Sequence, residues 1–130
     1  MTRARDEDGA AVVDFVLVSV LVLALFLVVL QVGVVLHTRT VLVASAAEGA
    51  RYGADADRTP DEAAQRAHDA VADALSPAVA DRLTFRGRQV DVDGAPVVEV
   101  TVSGPVPVVF LPAGPLTLTV KGHALEESRP

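Results

Sequence analysis

The chain has 130 residues, with 11 basic and 17 acidic side chains and a formal net charge of −6 at pH 7. This length fits one domain with an anchor or a tail, and the acidic balance argues against a protein that binds nucleic-acid phosphates through a basic surface. The absence of cysteine excludes disulfide bonds, thiolate metal sites and a cysteine nucleophile. Hydrophobic residues make up 51% of the chain and are concentrated in its first third.

The first predicted element is a transmembrane helix. Residues 15–36 form an apolar run that is interrupted only by Ser19, Gln31 and Gly33, none of which is charged. At 1.5 Å per residue the run makes a helix of roughly 33 Å, which is long enough to cross the hydrocarbon core of a bilayer. It lacks the polar face of a soluble amphipathic helix. The short flank before the run and the long one after it favour a cytoplasmic N-terminus and an exported domain, and the positive-inside rule leans slightly the same way.

A cleaved secretory signal is the alternative interpretation of this run. The apolar region of a signal peptide has about 7–15 residues, fewer than are present here. Residues 44–46 match the small-x-small pattern of signal peptidase, but the polar residues 37–39 separate them from the apolar run. Cleavage after Ala46 would release a soluble secreted protein, which could be an enzyme.

The start of the run carries one acidic residue, Asp14. The simplest interpretation is a hydrated carboxylate at the membrane boundary, because a charge at the helix centre costs about 2.5–3.5 kcal/mol and less near the interface. However, the sequence GAAVVDF over residues 9–15, placed directly before a long apolar helix, resembles the processing site of type IV pilins and pseudopilins. In that family a membrane peptidase cuts after a glycine, the fifth residue of the mature chain is acidic, and the sixth is often phenylalanine.

This resemblance implies cleavage by a prepilin peptidase between Gly9 and Ala10. Residues 1–9 would then be a cytoplasmic leader and residues 10–36 the transmembrane helix, with Asp14 fifth and Phe15 sixth in the mature chain. The family usually has glutamate at the fifth position, so Asp14 keeps the charge on a side chain one methylene shorter. Two opposite charges 4 Å apart attract by about 4 kcal/mol at an effective dielectric constant of 20, before desolvation is subtracted. A bond from the new amine at Ala10 to a neighbouring subunit's carboxylate is therefore expected to set the register of assembly.

Helical spacing continues beyond the membrane into a predicted helical stalk, residues 37–57. Small residues recur at three- and four-residue steps, and nothing stops the helix before Gly53, so one helix of about 40 residues is expected. The sequence Glu48-Gly49-Ala50-Arg51-Tyr52 resembles the motif that follows the membrane helix in TadE-like proteins, which are pseudopilin-type components of tight-adherence (Flp) pilus systems in bacteria. The alternative for Arg51 and Tyr52 is simple packing where the helix meets the domain.

The rest of the chain predicts an exported α+β domain over residues 58–125. Thr59-Pro60-Asp61-Glu62 has the form of a capping box that starts a short amphipathic helix, which ends near Leu75. Alternation of apolar and polar residues predicts an antiparallel sheet of three to four strands, with a hairpin turn at Asp93-Gly94. The segment with prolines 105, 107, 112 and 115 is expected to be an edge or an extended loop, and residues 126–130 a frayed tail.

No pattern in the sequence predicts catalysis. The histidines at positions 37, 68 and 123 have no metal-ligand spacing, and neither a nucleophile elbow nor a phosphate-binding glycine loop occurs. We therefore expect no enzyme, no metal, no cofactor, no small-molecule substrate and no nucleic-acid partner.

The combined patterns predict a TadE-like pilus assembly component, a minor pilin or pseudopilin anchored in the bacterial cytoplasmic membrane with its N-terminus inside. Its expected partners are the lipid bilayer, other pilin-like subunits, the pilus assembly platform and the prepilin peptidase. The alternative from another class is an unprocessed, single-pass anchored domain that binds a cell-envelope ligand.

Overall fold

The computed structural model describes residues 2–106, 108, 114 and 116–127. Its helices are α1 (Thr2–Gly53), α2 (Pro60–Ala74) and α3 (Pro77–Arg82), and its strands are β1 (Thr84–Val92), β2 (Ala95–Val106) and β3 (Leu116–Leu125). The strands form an antiparallel sheet in the order β1-β2-β3. The predicted α+β fold class, with a long N-terminal apolar helix followed by a small domain, is confirmed.

Helix α1 is one continuous element in two different environments. Its 52 residues make about 78 Å of helix at 1.5 Å per residue. Every described side chain from Arg3 to Phe26 is exposed. From Gln31 onwards one face is buried, since Gln31 is 2% exposed and Leu42 and Ala50 are completely buried. The N-terminal part is therefore long and apolar enough to cross a membrane, and the C-terminal part is the spine of the packed domain.

Burial along α1 begins inside the predicted span of residues 10–36 and continues through the predicted stalk. The buried face recurs at steps of three, four and seven residues, as one face of a helix requires; it comprises Gln31, Thr38, Leu42, Ser45, Ala46, Gly49, Ala50 and Gly53. The stalk segment, residues 37–57, is thus helical to Gly53 and forms part of the domain core.

The sheet lies directly on α1. Gly122 of β3 faces the backbone of Ala46 and Ala47 so closely that a Cβ atom there would overlap it. Glu127 donates its backbone N–H to the Ala54 carbonyl oxygen at 3.0 Å, so the end of β3 lies near the end of α1. Strand β3 therefore runs in the same direction as α1. The core between the layers is formed mainly by small side chains of α1 and α2 and by valines of the sheet: Leu42, Ala46, Ala50, Ala63, Ala67, Val71, Val98, Val100, Val102 and Val120.

Two local predictions of the sequence appear directly in the backbone. The Thr59 side chain accepts a hydrogen bond from the Glu62 N–H at 3.2 Å, and the Glu62 carboxylate accepts one from the Thr59 N–H at 2.7 Å. Asp93 and Gly94 both have positive φ, 53° and 83°, in the turn between β1 and β2. That turn is closed by Asp91, which accepts the Gly94 N–H at 2.8 Å.

Part of the predicted organisation lies outside the described residues. This applies to Met1 of the leader, to prolines 107, 112 and 115 of the predicted edge or loop, and to residues 128–130 of the predicted frayed tail. Pro105 lies in β2, where it pairs with Thr117 of β3. Helix α3 is an addition to the prediction; Ser76 starts it by accepting the Val79 N–H at 3.2 Å.

Candidate functional site

The residues of the predicted processing site lie on the exposed part of α1. Gly9 and Ala10 are exposed helical residues, and a Cβ atom at Gly9 would meet no other atom within 4 Å. Asp14 lies four residues after Ala10, so the two share one helix face, and Phe15 beside it is 74% exposed. All four residues are therefore exposed on α1, where a neighbouring molecule can contact them.

Residues 48–52, whose sequence resembles the TadE-like motif, lie where α1 packs against α2. A Cβ atom at Gly49 would be 2.5 Å from the Ala63 carbonyl oxygen and 2.8 Å from the Ala67 Cβ atom. Ala50 is completely buried. The two helix backbones can approach this closely only because the residues between them are small.

Polar residues of the motif join the same two helices. The Glu48 carboxylate accepts a hydrogen bond from Arg66 of α2 at 2.7 Å, and both side chains remain nearly half exposed. The guanidinium of Arg58 lies 4.5 Å from the centre of the Tyr52 ring, and that of Arg66 lies 5.9 Å from it, within the range of cation–π attraction. Arg51 is exposed in the last turn of α1, where a positive charge complements the helix dipole.

His68 of α2 contacts two carboxylates, that of its neighbour Asp69 in α2 and that of Asp81 in α3. Its Nε2 lies 3.0 Å from Asp81 Oδ1, its Nδ1 lies 3.4 Å from Asp69 Oδ1, and its ring meets the edge of Phe85 with the centroids 5.2 Å apart. The hydrogen bond to Asp81, more than any other contact, raises the pKa of His68. Because the folded-state pKa is raised, this pair stabilises the fold fully below the unfolded pKa of about 6.5 and progressively less as the pH rises through the folded value.

Replacing His68 with glutamine is therefore expected to remove a pH dependence of stability. The free energy of unfolding of the wild type should exceed that of His68→Gln at roughly pH 6, and this difference should shrink by less than about 1 kcal/mol by pH 8. The change is small because Asp81 is 72% exposed and the pair is screened by solvent. Denaturant unfolding at several pH values measures the free energy of unfolding as a function of pH. Asp81→Asn removes the other partner of the pair and should reduce the same pH dependence. If the free energy of unfolding depends on pH equally in the wild type and in His68→Gln, the His68–Asp81 pair does not stabilise the fold as described.

The open face of the sheet carries a cluster around one buried carboxylate. Arg88, Glu99 and His123 are direct cross-strand neighbours, and the Glu99 side chain is only 7% exposed. Glu99 Oε1 lies 2.6 Å from Arg88 Nη2 and 3.7 Å from Lys121 Nζ, and Glu99 Oε2 lies 2.8 Å from His123 Nε2. Burial raises the pKa of Glu99, but the hydrogen bonds from His123 and Arg88 outweigh it, so the pKa lies below its usual value.

Sequence reasoning missed this cluster because it depends on strand register. Arg86 and Arg88 alternate with core residues in β1, as Lys121 and His123 do in β3, and Glu99 lies between them in β2. Alternation alone places these residues on a polar face. Only the pairing of three strands brings them side by side.

The described residues were also searched for clusters of metal-ligating side chains. Within residues 2–106, 108, 114 and 116–127, no group of three or more histidine, aspartate or glutamate side chains is arranged to hold a metal ion.

Comparison with known proteins gives one match. No curated protein and no solved structure matches the chain. The family model of TadE-like proteins matches residues 9–51, which include the exposed part of α1 and most of the motif at the α1–α2 crossing. This family suggests an association with Tad pilus assembly. Residues 9–51 of the chain are thus TadE-like, which confirms the resemblance to this family over its N-terminal third.

Proposed function

We propose that this protein is a membrane-anchored pilus assembly component, a minor pilin or pseudopilin, that acts through helix packing and subunit contacts without catalysis. The observation that carries the proposal is the division of α1. From Ala10 to Leu30 it is apolar apart from Asp14 and Ser19 and almost entirely exposed, and from Gln31 onwards one face is built into the core of a small α+β domain. A single continuous helix thus joins the anchor to the domain, so that packing between anchors would also position the domains.

Within the proposed transmembrane helix of residues 10–36, residues 10–30 precede the first buried side chain of α1. These residues make roughly 31 Å of helix, which matches the hydrocarbon core of a bilayer. Beyond them Gln31 is 2% exposed, and its burial marks where contacts within the chain begin to replace exposure to lipid. Arg3 and Arg5 precede the anchor and favour a cytoplasmic N-terminus in the bacterial cytoplasmic membrane.

Processing at Gly9 is the expected maturation step. Gly9 is an exposed helical residue with open space around it, so a peptidase can reach the bond that follows it. The match to the TadE-like family begins at this same residue. Cleavage by a prepilin peptidase would leave a free amine on Ala10, four residues before Asp14. Other pilin-like subunits and the assembly platform would then meet the exposed face of the anchor.

Replacing Gly9 with leucine tests this function. The substitution is expected to block maturation and pilus assembly while leaving the domain folded, because a side chain at Gly9 has open space around it. The matched control is Gly33→Leu, at a second glycine of α1 with nothing within 4 Å, which should mature normally. The readouts are the mass of the protein in membranes and the amount of pilus material sheared from cells.

Normal maturation and normal pili in the Gly9→Leu strain would contradict the proposal. That result would favour the alternative of an unprocessed, single-pass anchored domain that binds a ligand of the cell envelope, because such a domain needs neither a leader nor a peptidase.

A further inference from the structure

One end of the sheet points towards the exposed, N-terminal part of α1. Strand β3 runs in the same direction as α1, so Leu116, its first residue, is the part of β3 nearest to that apolar segment. Leu116 pairs with Val106, and the next pair is Pro105 with Thr117. We call these four residues the membrane-proximal end of the sheet.

Two contacts give the level of this end along α1. A Cβ atom at Gly122 would overlap the backbone of Ala46, and Glu127 donates its N–H to the Ala54 carbonyl oxygen. From Gly122 to Glu127 the chain thus passes about eight residues of α1, and a fully extended strand parallel to the helix would pass about eleven. On either scale Leu116 lies level with about residues 33–36 of α1.

The burial of Gln31 supports this level independently. Gln31 is 2% exposed, so the chain covers one face of α1 at least this far towards its N-terminus. On the other faces the exposed apolar surface continues, since Val32 is 52% and Leu36 58% exposed. The packed domain and the apolar run therefore overlap along about 9 Å of helix, over residues 31–36.

Asp14 gives the position of the bilayer along α1. With its carboxylate hydrated at the cytoplasmic boundary, a hydrocarbon core of about 30 Å begins at Phe15 and ends about 20 residues later, near Val34. The headgroup layer continues for about 5–8 Å, to about residue 39. The membrane-proximal end of the sheet is therefore level with the boundary between the acyl chains and the headgroups.

The exposed side chains of this end suit that depth. Leu116 is 45% exposed, and Pro105 of the next pair is also exposed. The sequence that joins β2 to β3, residues 107–115, contains no charged residue. Lipid removes such an apolar surface from water, whereas the same surface would stay in water if the domain stood clear of the bilayer.

Two exposed arginines lie level with the headgroup layer. Arg39 follows the apolar run on α1. Arg82 ends α3, and its carbonyl oxygen would lie 3.2 Å from a Cβ atom at Gly104, which pairs with Leu118 of β3. At a membrane surface a guanidinium can bind a lipid phosphate while the stem of the side chain covers apolar surface.

Two carboxylates occur in the same region of the domain. Asp81, next to Arg82, lies 3.0 Å from His68 Nε2, so it has a partner within the domain. Asp73 lines a groove with Val41, which lies about 10 Å beyond the end of the hydrocarbon core. Neither carboxylate therefore places an uncompensated negative charge at the edge of the hydrocarbon.

We propose that the membrane-proximal end of the sheet is a second membrane contact, with Leu116 at the acyl chains of the outer leaflet and Arg39 and Arg82 at its lipid phosphates. Because both the helix and the sheet then touch the bilayer, the domain is held in one orientation on the membrane surface. This inference rests on the anchoring and orientation in the proposed function and adds a lipid-binding surface on the domain.

Fluorescence of the full-length chain in vesicles tests the proposal. The chain has no cysteine, so Leu116→Cys and Leu125→Cys each introduce one thiol for a polarity-sensitive fluorophore. Position 125 is the matched control, because both leucines are exposed and lie at opposite ends of β3. Leu23→Cys, in the exposed apolar part of α1, reports insertion of the anchor. The vesicles contain phosphatidylcholine and phosphatidylglycerol, with or without a lipid that carries a nitroxide quencher near the top of its acyl chain.

The label at position 116 should emit at a shorter wavelength than the label at position 125 and should lose most of its emission to the nitroxide lipid. The label at position 125 should keep its emission, since Leu125 lies about 25 Å beyond the hydrocarbon core. Arg39→Gln with Arg82→Gln should weaken the quenching at position 116 and leave that at position 23 unchanged. The near-ultraviolet circular dichroism of Tyr52 verifies that each variant is folded.

Other outcomes would overturn the proposal. Strong quenching at position 23 with equally weak quenching at positions 116 and 125 would show that this inference alone is wrong. A blue shift at position 116 that grows with protein density, without quenching by lipid, would mean that a second copy covers this end. Unchanged quenching after both arginine replacements would exclude their contact with phosphates. If position 116 is quenched but pili assemble normally without this protein, the proposed role in assembly alone is wrong.

Discussion

Replacing Gly49 with leucine is expected to lower the free energy of unfolding of the domain strongly, whereas the same replacement at Gly33 in the same helix is expected to leave it nearly unchanged. A Cβ atom at Gly49 would lie 2.5 Å from the carbonyl oxygen of Ala63 and 3.1 Å from the backbone nitrogen of Ala67. Backbone atoms cannot rotate away as a side chain can. Overpacking of this kind costs about 1–3 kcal/mol or more, a large part of the roughly 5–15 kcal/mol that stabilises a typical domain.

The single tyrosine gives a local probe for this experiment. The chain has one tyrosine and no tryptophan, and Tyr52 lies beside Arg58 at the same helix crossing. When denaturant unfolding of the detergent-solubilised protein is followed by the near-ultraviolet circular dichroism of this tyrosine, the midpoint should fall in Gly49→Leu and stay near the wild-type value in Gly33→Leu. Gly49→Ala should lie between them. Equal stability of the Gly49 and Gly33 variants would contradict the close packing of α1 on α2.

Asp14→Ala is expected to abolish most assembly while leaving membrane insertion intact. Removing a charge at the edge of an apolar helix makes insertion easier, since a carboxylate in the membrane is costly. In an assembly, however, the amine of a processed Ala10 would lose its partner and remain unpaired among apolar helices. Breaking a buried ion pair by removing one partner costs about 3–5 kcal/mol per contact. That loss would be repeated at every subunit contact.

The test compares Asp14→Ala with Asp14→Glu in a pilus-forming strain. Asp14→Glu keeps the charge and has the residue that the pilin family usually carries there, so it should be tolerated. Membrane fractionation reports insertion, and sheared surface material reports assembly. Wild-type amounts of pili in the Asp14→Ala strain would contradict a role in subunit register.

Much of the fold could be predicted from the sequence because its signals are local. The Thr59–Glu62 capping box and the Asp93-Gly94 turn depend on neighbouring residues alone, and both form as expected. Helix α3 was missed although Ser76-Pro77 has the N-cap and first-turn signal that starts it. Its six residues are too few to carry a readable apolar period.

The nonlocal features could not be predicted. The apolar run of α1 has no polar face, so its sequence does not indicate that Gln31 faces inwards and begins the buried face. The cluster around Glu99 requires β1, β2 and β3 in one register. Small residues at Gly49 and Gly122 indicate close approach only once the partner element is known. Local sequence signals thus predict the helices and strands, whereas the packing between them determines which of their faces are buried and which are exposed.

The mass of the intact protein recovered from membranes is the most direct test of the proposed function. A chain that begins at Ala10 is the predicted result, since it requires cleavage after Gly9 and leaves the amine that Asp14 of a neighbour would bind. A chain that keeps the leader and begins near Met1 would contradict processing and favour a plain anchored domain. A soluble chain that begins at Ala47 would contradict membrane anchoring itself.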